Sequence, residues 1–140
     1  MAYYECLSNN DHINNGDKFT VTLTGSHNVT ITASVCYIDK TTLCLLSDTS
    51  LGNANWGTQC GYAWNYNVNI KGKKYTGICR IPNLNQISSK CAGYGKNFAY
   101  WTSTAYNNSG SCCFVYAGGS VYPNSSSTAG GTIPFIEITL

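Results

Sequence analysis

Cysteine and histidine are the residue types in this chain with the most chemistry to offer, and their spacing assigns them little of it. Eight cysteines stand at Cys6, Cys36, Cys44, Cys60, Cys79, Cys91, Cys112 and Cys113. A zinc or dithiol site usually begins with two thiols separated by two residues, and no C-x-x-C pair is present. Adjacent residues such as Cys112 and Cys113 do not readily close an unstrained mutual disulfide. Strand alternation predicts Cys112 toward the core and Cys113 toward solvent, and most of the eight read as small buried hydrophobes that stay reduced. A nucleophilic site needs a base within reach, yet the two histidines, His12 and His27, both fall in predicted turns. The acidic residues Glu5, Asp11, Asp17, Asp39, Asp48 and Glu137 are scattered. They offer neither the paired carboxylates of a glycosidase nor the anionic oxygen cluster a calcium ion requires. Phosphate loops of the G-x-x-x-x-G-K-S/T or G-x-G-x-x-G kind are missing as well. The expectation is a protein that is not an enzyme and uses no cofactor or metal.

Binding chemistry is better represented. Residues 97–136, NFAYWTSTAYNNSGSCCFVYAGGSVYPNSSSTAGGTIPFI, contain no Lys, Arg, Asp, Glu, His, Gln or Met. Ordinary surfaces are about a quarter charged or more, so a long segment of Ser, Gly, Asn, Thr, Ala and Tyr is unusual. Tyr, Ser, Gly and Asn dominate antibody paratopes, where rigid rings supply contact area and small polar groups supply adaptable hydrogen bonds.

Charge and hydropathy remove other classes. Charged residues make up 10% of the chain and the net charge is +2, with only Lys71, Lys73 and Lys74 close together. Nucleic acid is therefore not an expected partner, and the KGKK run reads as a solvated hairpin tip. No apolar run approaches the roughly 18 residues of a membrane span. The N-terminus MAYYECLSNND lacks the basic start and apolar stretch of a signal peptide, which predicts synthesis in the cytoplasm without one, and no membrane insertion.

The elements that must position these residues are mostly strands. Residues 1–17 form a polar N-terminal arm, or a first short strand with a loop, ending in the turn cluster Asn14, Asn15, Gly16 and Asp17. From Lys18 the period is two: Phe19, Val21 and Leu23 alternate with threonines, as do Val29, Ile31 and Ala33 after a turn at 25–28. That is a hairpin with one apolar and one Thr-covered face. Val35 to Ile38 and Thr42 to Leu46 give two more short strands around Asp39 and Lys40. Residues 51–69, with Trp56, Tyr62, Trp64 and Tyr66 among Gly and Asn, read as a loop with one short helix. Asn83 caps a helix within 82–90, with Gln86 as its capping-box partner. Strands follow at Phe98 to Thr102, Cys113 to Tyr116 and Ile133 to Thr139, with Gly118, Gly119, Gly130 and Gly131 as turns. Residues 18–140 are read as one domain opened by the N-terminal β-hairpin.

Three pieces carry a family resemblance: Ile78 to Ile87 (ICRIPNLNQI), Tyr100 to Tyr106 (YWTSTAY) and Phe114 to Val121 (FVYAGGSV). They resemble the W-R-L-P-T-x-x-E-L, Y-W-T-S-T-x-Y and F-x-x-G-x-V landmarks of bacterial and phage C-type lectin-like domains. That group is related to the formylglycine-generating-enzyme fold and includes the variable proteins of diversity-generating retroelements. The resemblance spans roughly residues 42–138. Gln86 stands where the family's helix motif is acidic, and Pro134 where an Arg is common.

The resemblance implies an α+β, C-type lectin-like fold, β-rich with one or two short helices, in which Trp101, Ser103 and Thr104 are scaffold. It places ligand contacts in the segment that follows. In the retroelement proteins the diversified codons are mostly AAC or AAT, whose mutation at the first two bases yields Asn, Ser, Tyr, Gly, Cys and similar residues but not Lys, Glu, Gln, Met or Trp. Residues 105–132 use only that set. The implied binding face is Tyr106, Asn107, Asn108, Ser109, Ser111, Cys113, Tyr116, Tyr122, Asn124 and Ser126. Its implied function is non-catalytic recognition of a protein or glycan on a host or partner cell surface. The protein would sit on a virion or a bacterial cell surface as a homo-oligomer, by analogy a trimer. The alternative is a structural virion decoration or tail-assembly protein built on the same fold.

Overall fold

The computed structural model describes residues 3–5, 12–91, 96–106 and 111–140. Along the chain run β1 (Tyr3–Glu5), β2 (His12–Asn14), β3 (Lys18–Gly25), β4 (Val29–Ile38), β5 (Thr42–Ser47) and β6 (Asn53–Ala54). Helix α1 (Trp56–Cys60) precedes β7 (Trp64–Ile70) and β8 (Lys73–Cys79), and helix α2 (Leu84–Lys90) follows. The chain closes with β9 (Tyr100–Ala105), β10 (Ser111–Val115), β11 (Val121–Ser125), β12 (Gly130–Gly131) and β13 (Phe135–Thr139). The protein is thus β-rich with two short helices among the described residues. It divides into two compact units that are interleaved in sequence: residues 1–49, 63–79 and 135–140 form unit 1, and residues 50–62 and 80–134 form unit 2.

Unit 1 is built on a six-stranded sheet of order β13-β5-β4-β3-β7-β8, every neighbouring pair antiparallel. Strand direction therefore alternates across the sheet, and the edge strands β8 and β13 approach each other. The alternation read from the sequence holds in the middle of β3 and β4, where Val21, Leu23, Ile31 and Ala33 are buried while Thr20, Thr22, Thr24, Thr30 and Thr32 are exposed; toward the strand starts Phe19 is only half-buried and Val29 is 38% exposed. Fully burying each branched side chain contributes about 1.5 to 3 kcal/mol. Residues 35–38 are no separate strand. They continue β4 past a register shift between Val35 and Tyr37, which leaves Cys36 as the extra residue. Part of the polar arm belongs to this unit too: β1 pairs with β2, Ile13 is fully buried, and Gly16 and Asp17 exchange backbone hydrogen bonds with Val35.

The largest departure from the sequence reading lies at 64–79. What reads as loop is strand β7, whose pattern Trp64, Tyr66, Val68, Ile70 inward and Asn65, Asn67, Asn69 outward is strictly alternating. The asparagines, poor strand formers, mask a period of two. Lys71 and Gly72 form the predicted hairpin tip, both with positive φ (52° and 88°), as a two-residue turn of the primed type requires.

Unit 2 carries a sheet of order β11-β10-β9-β12-β6, in which β12 runs parallel to β9 and antiparallel to β6. Both helices pack on β9. Helix α2 has the expected capping box: Asn83 Oδ1 accepts the Gln86 N–H at 2.7 Å, and Gln86 Oε1 accepts the Asn83 N–H at 2.9 Å. Helix α1 is capped by Asn55, whose Oδ1 accepts the Thr58 N–H. Gly130 and Gly131 are strand rather than turn, and neither position has room for a side chain: the Trp101 and Phe114 rings lie against Gly130, and the Phe98 ring lies against Gly131. A Cβ on Gly130 would strike the Phe114 ring, and one on Gly131 would meet the Ala99 carbonyl at 2.6 Å. Fully buried Gln59 ties this region together by donating from Nε2 to the carbonyls of Ala54 (2.9 Å) and Gly130 (2.7 Å).

Candidate functional site

Strands β9, β10 and β11 of unit 2 set an aromatic row on one face of their sheet. Period two along β10 puts Cys112, Phe114 and, just past its end, Tyr116 on the same side. Phe114 lies opposite Trp101 on β9 and Tyr122 on β11. The rings run Trp101 to Phe114 at 4.5 Å, Phe114 to Tyr116 at 5.2 Å and Tyr116 to Tyr122 at 6.0 Å between centroids, the last two edge to face. Such geometry is worth about 0.5 to 1.5 kcal/mol per pair beyond burial. Exposure climbs along the row, from 0% at Trp101 and 4% at Phe114 to 40% at Tyr116 and 60% at Tyr122. The buried end anchors the exposed end.

A polar relay runs beside the rings. Trp101 Nε1 donates to the Thr128 carbonyl (3.0 Å), and Thr128 Oγ1 donates to Asn124 Oδ1 (3.1 Å). Asn124 Nδ2 donates to the Tyr116 hydroxyl (3.2 Å), while Asn124 Oδ1 also accepts the Ser125 N–H (2.8 Å). Ser125 and Ser127 share a hydroxyl hydrogen bond at 2.8 Å that tightens the following turn. The relay therefore holds the Tyr116 ring at its hydroxyl, and Tyr122 rests edge to face on that ring.

Strand β11 is a sheet edge, and its free side is poorly suited to adding another strand. Tyr116 N–H bonds the Ser120 carbonyl, which sets the register so that the nitrogens of Pro123 and Ser125 point away from β10. Proline has no N–H, and that of Ser125 is taken by Asn124. Two of the three outward backbone nitrogens, those of Val121, Pro123 and Ser125, are thus closed to a further strand.

The sequence-derived face is only partly assembled. Tyr116, Tyr122 and Asn124 come together, and the half-buried Ser126 follows in the turn. Tyr106, 57% exposed, follows Ala105, which pairs with Cys112, so it stands at the opposite end of the hairpin from Tyr116. Ser111 pairs with Ser125 in β10. Asn107, Asn108 and Ser109 lie outside the described residues. Cys113 is a correction: it is 6% exposed, Cys112 is 2% exposed, and neither faces solvent. The alternation argument assumed one open sheet face, whereas here the strand is covered on both sides, and Thr102 Oγ1 bonds the Cys113 carbonyl at 3.0 Å. Sequence reasoning missed Phe114 and Thr128 as supports of the exposed rings. The 112, 114, 116 spacing signalled the first, while nothing local signalled the second.

Cys60, Cys79, Cys112 and Cys113 are free thiols. Burial raises the pKa of Cys112, with Cys113 adding to it, and burial alone raises that of Cys113. Cys79 is pushed up to about 12 by burial. An activated thiolate requires the opposite shift. Among the described residues no group of three or more His, Cys, Asp or Glu side chains is placed to hold a metal ion. No helix among them is long and apolar enough to cross a membrane. No family model matches the chain, and no curated protein or solved structure matches it.

Proposed function

We propose that this protein is a non-catalytic recognition protein with a C-type lectin-like fold. On this reading it binds a protein or glycan on a host or partner cell through the face that carries Tyr116, Tyr122, Asn124 and Ser126. The observation that carries the reading is the exposed Tyr116 and Tyr122 pair, set edge to face with the Tyr116 hydroxyl held by Asn124, in a segment whose side chains carry no formal charge. Rigid aromatic anchors with small polar neighbours give contact area at low loss of rotamer freedom. The raised thiols and the scattered acidic residues support recognition over catalysis. Two short helices, the β9-β10-β11 meander after α2, buried Trp101 and a final strand β13 paired with β5 support the lectin-like reading. Residue usage over 105–132 supports membership among the variable proteins of diversity-generating retroelements. One such face is small, so display in several copies on a virion or bacterial surface supplies avidity.

The test is a Tyr116→Ser/Tyr122→Ser variant, followed by adsorption to a panel of bacterial cells and by sedimentation velocity. Adsorption falls more than tenfold while fold and oligomeric state are kept. A folded variant that adsorbs normally, or that loses assembly instead, refutes the reading, and the second result identifies a structural virion component.

A further inference from the structure

Unit 1 turns a different surface to solvent on the outward face of β3, β7 and β8. An open groove of about 430 Å³ runs there between Thr22, Thr24, Asn65, Asn67, Thr76 and Ile78. Asparagine is depleted in strands because it weakens the pleated packing that holds them, so its use at 65, 67 and 69 of one strand calls for a cause. For Asn69 the cause is local: its Oδ1 accepts the Gly72 N–H at 3.0 Å and braces the hairpin turn. Asn28 does the same for Gly25 at 3.4 Å. Asn65 and Asn67 brace nothing. Both are exposed in mid-strand, and neither they nor Thr22, Thr24 or Thr76 make a side-chain hydrogen bond among the described residues.

We propose that this groove binds a neutral polysaccharide chain. Cross-strand pairing puts Thr22 beside Asn67, Asn67 beside Thr76, Thr24 beside Asn65 and Asn65 beside Ile78. Two parallel rows result, about 7 Å apart along the strands, with members about 4.8 Å apart across them. Each amide and hydroxyl in the rows both donates and accepts, as the vicinal hydroxyls of a sugar ring do. None of the lining side chains carries a formal charge, and the nearest cations on that face, Lys74 and Arg80, stand one outward position beyond the lining at either end of β8, so the lining itself favours a neutral ligand. Ile78, 70% exposed, is the apolar member, placed to meet the C–H face of a ring. The groove is open, which suits an extended polymer lying across a sheet better than an enclosed small molecule. A protein partner would want aromatic or arginine anchors, and the lining offers neither, since the ring of Tyr66 turns inward over Gly77 and is 8% exposed. This site is independent of the aromatic face of unit 2.

Native affinity electrophoresis tests it, with the protein run through gels containing dextran, galactomannan, xyloglucan or glycogen. At least one of these retards the wild-type protein. Asn65→Ala/Asn67→Ala weakens that retardation about tenfold, the expected result of removing two hydrogen-bonding amides. Ile78→Ser weakens it as well, and Tyr116→Ser/Tyr122→Ser leaves it intact. Because the three groove substitutions are on the surface, circular dichroism of the variants matches wild type. Absence of retardation in all four gels overturns the proposal. So does retardation that survives in the asparagine variant, or that disappears only in the tyrosine variant.

Discussion

Asn124 holds the ring of Tyr116 from the neighbouring strand, its Nδ2 donating to the tyrosine hydroxyl at 3.2 Å while its Oδ1 receives the Thr128 hydroxyl and the Ser125 N–H. Asn124→Ala removes three hydrogen bonds at once on a partly exposed surface. The expected loss is about 1 kcal/mol in urea denaturation, because solvent replaces much of what is removed. Amide exchange at Ser125 accelerates in the same variant. Unchanged exchange there would mean the bond is not held in solution.

Gly130→Ala tests how tightly the aromatic row is packed from behind. A Cβ at this position has no room against Phe114 and lies 3.1 Å from Trp101. Overpacking of this kind destabilises by about 1 to 3 kcal/mol. Near-UV circular dichroism should weaken as the two rings shift, and a variant with wild-type midpoint and spectrum would show that the row repacks freely.

Thiol reactivity follows from burial. With Cys79, Cys112 and Cys113 all raised above the ordinary thiol range, iodoacetamide at pH 7.5 should leave these three unmodified in the native protein and label them within minutes in denaturant. Mass spectrometry of the digested protein reads this directly. Fast native labelling of Cys112 or Cys113 would revive a thiol-based activity.

Asp39 gives a pH signature. The Tyr37 hydroxyl at 2.6 Å, followed by the Thr41 and Thr42 N–H groups, lowers its pKa from 3.8 to about 2. A carboxyl with a depressed folded-state pKa contributes stability above its unfolded value, and that contribution is lost as pH falls toward the folded one. Asp39→Asn should therefore be less stable than wild type at pH 7, with the difference closing between about pH 4 and pH 2. A constant difference across that window would assign the effect to something other than this carboxylate.

Comparison of the coding region among closely related isolates tests the diversification reading. Substitutions should concentrate at AAC-derived or AAT-derived codons between Ala105 and Thr132, beside a near-identical template repeat. An even spread along the gene would leave a fixed-ligand adhesin or a structural protein.

The sequence disclosed those elements whose signals are local. The β3 and β4 hairpin declared itself by threonine alternation, and α2 by its Asn83 and Gln86 box, since each pattern is complete within a few residues. Strand β7 was hidden because asparagine occupies every outward position, and propensity argued against the period that burial obeys. Strand β12 was read as a turn because its glycines serve distant rings rather than local backbone. The candidate face was half legible: tyrosine, asparagine and serine identified a contact surface by composition. Which of them converge depends on the pairing of β10 with β11 and on the turn to Thr128. The groove residues were visible only as a polar stripe, because its asparagines become unusual once their lack of partners is known.

In the alternating sheet of unit 1, β5 ends, β7 begins, β8 ends and β13 begins at the same end. Both excursions of the chain into residues 50–62 and 80–134 thus start and finish on one rim. Loop-closure entropy grows slowly with length, so exposed turns inside these excursions can be lengthened or shortened at little cost to the pairing of the six strands. Unit 1 has the wiring of a chassis with two sockets, and the longer insert is the one that bears Tyr116 and Tyr122.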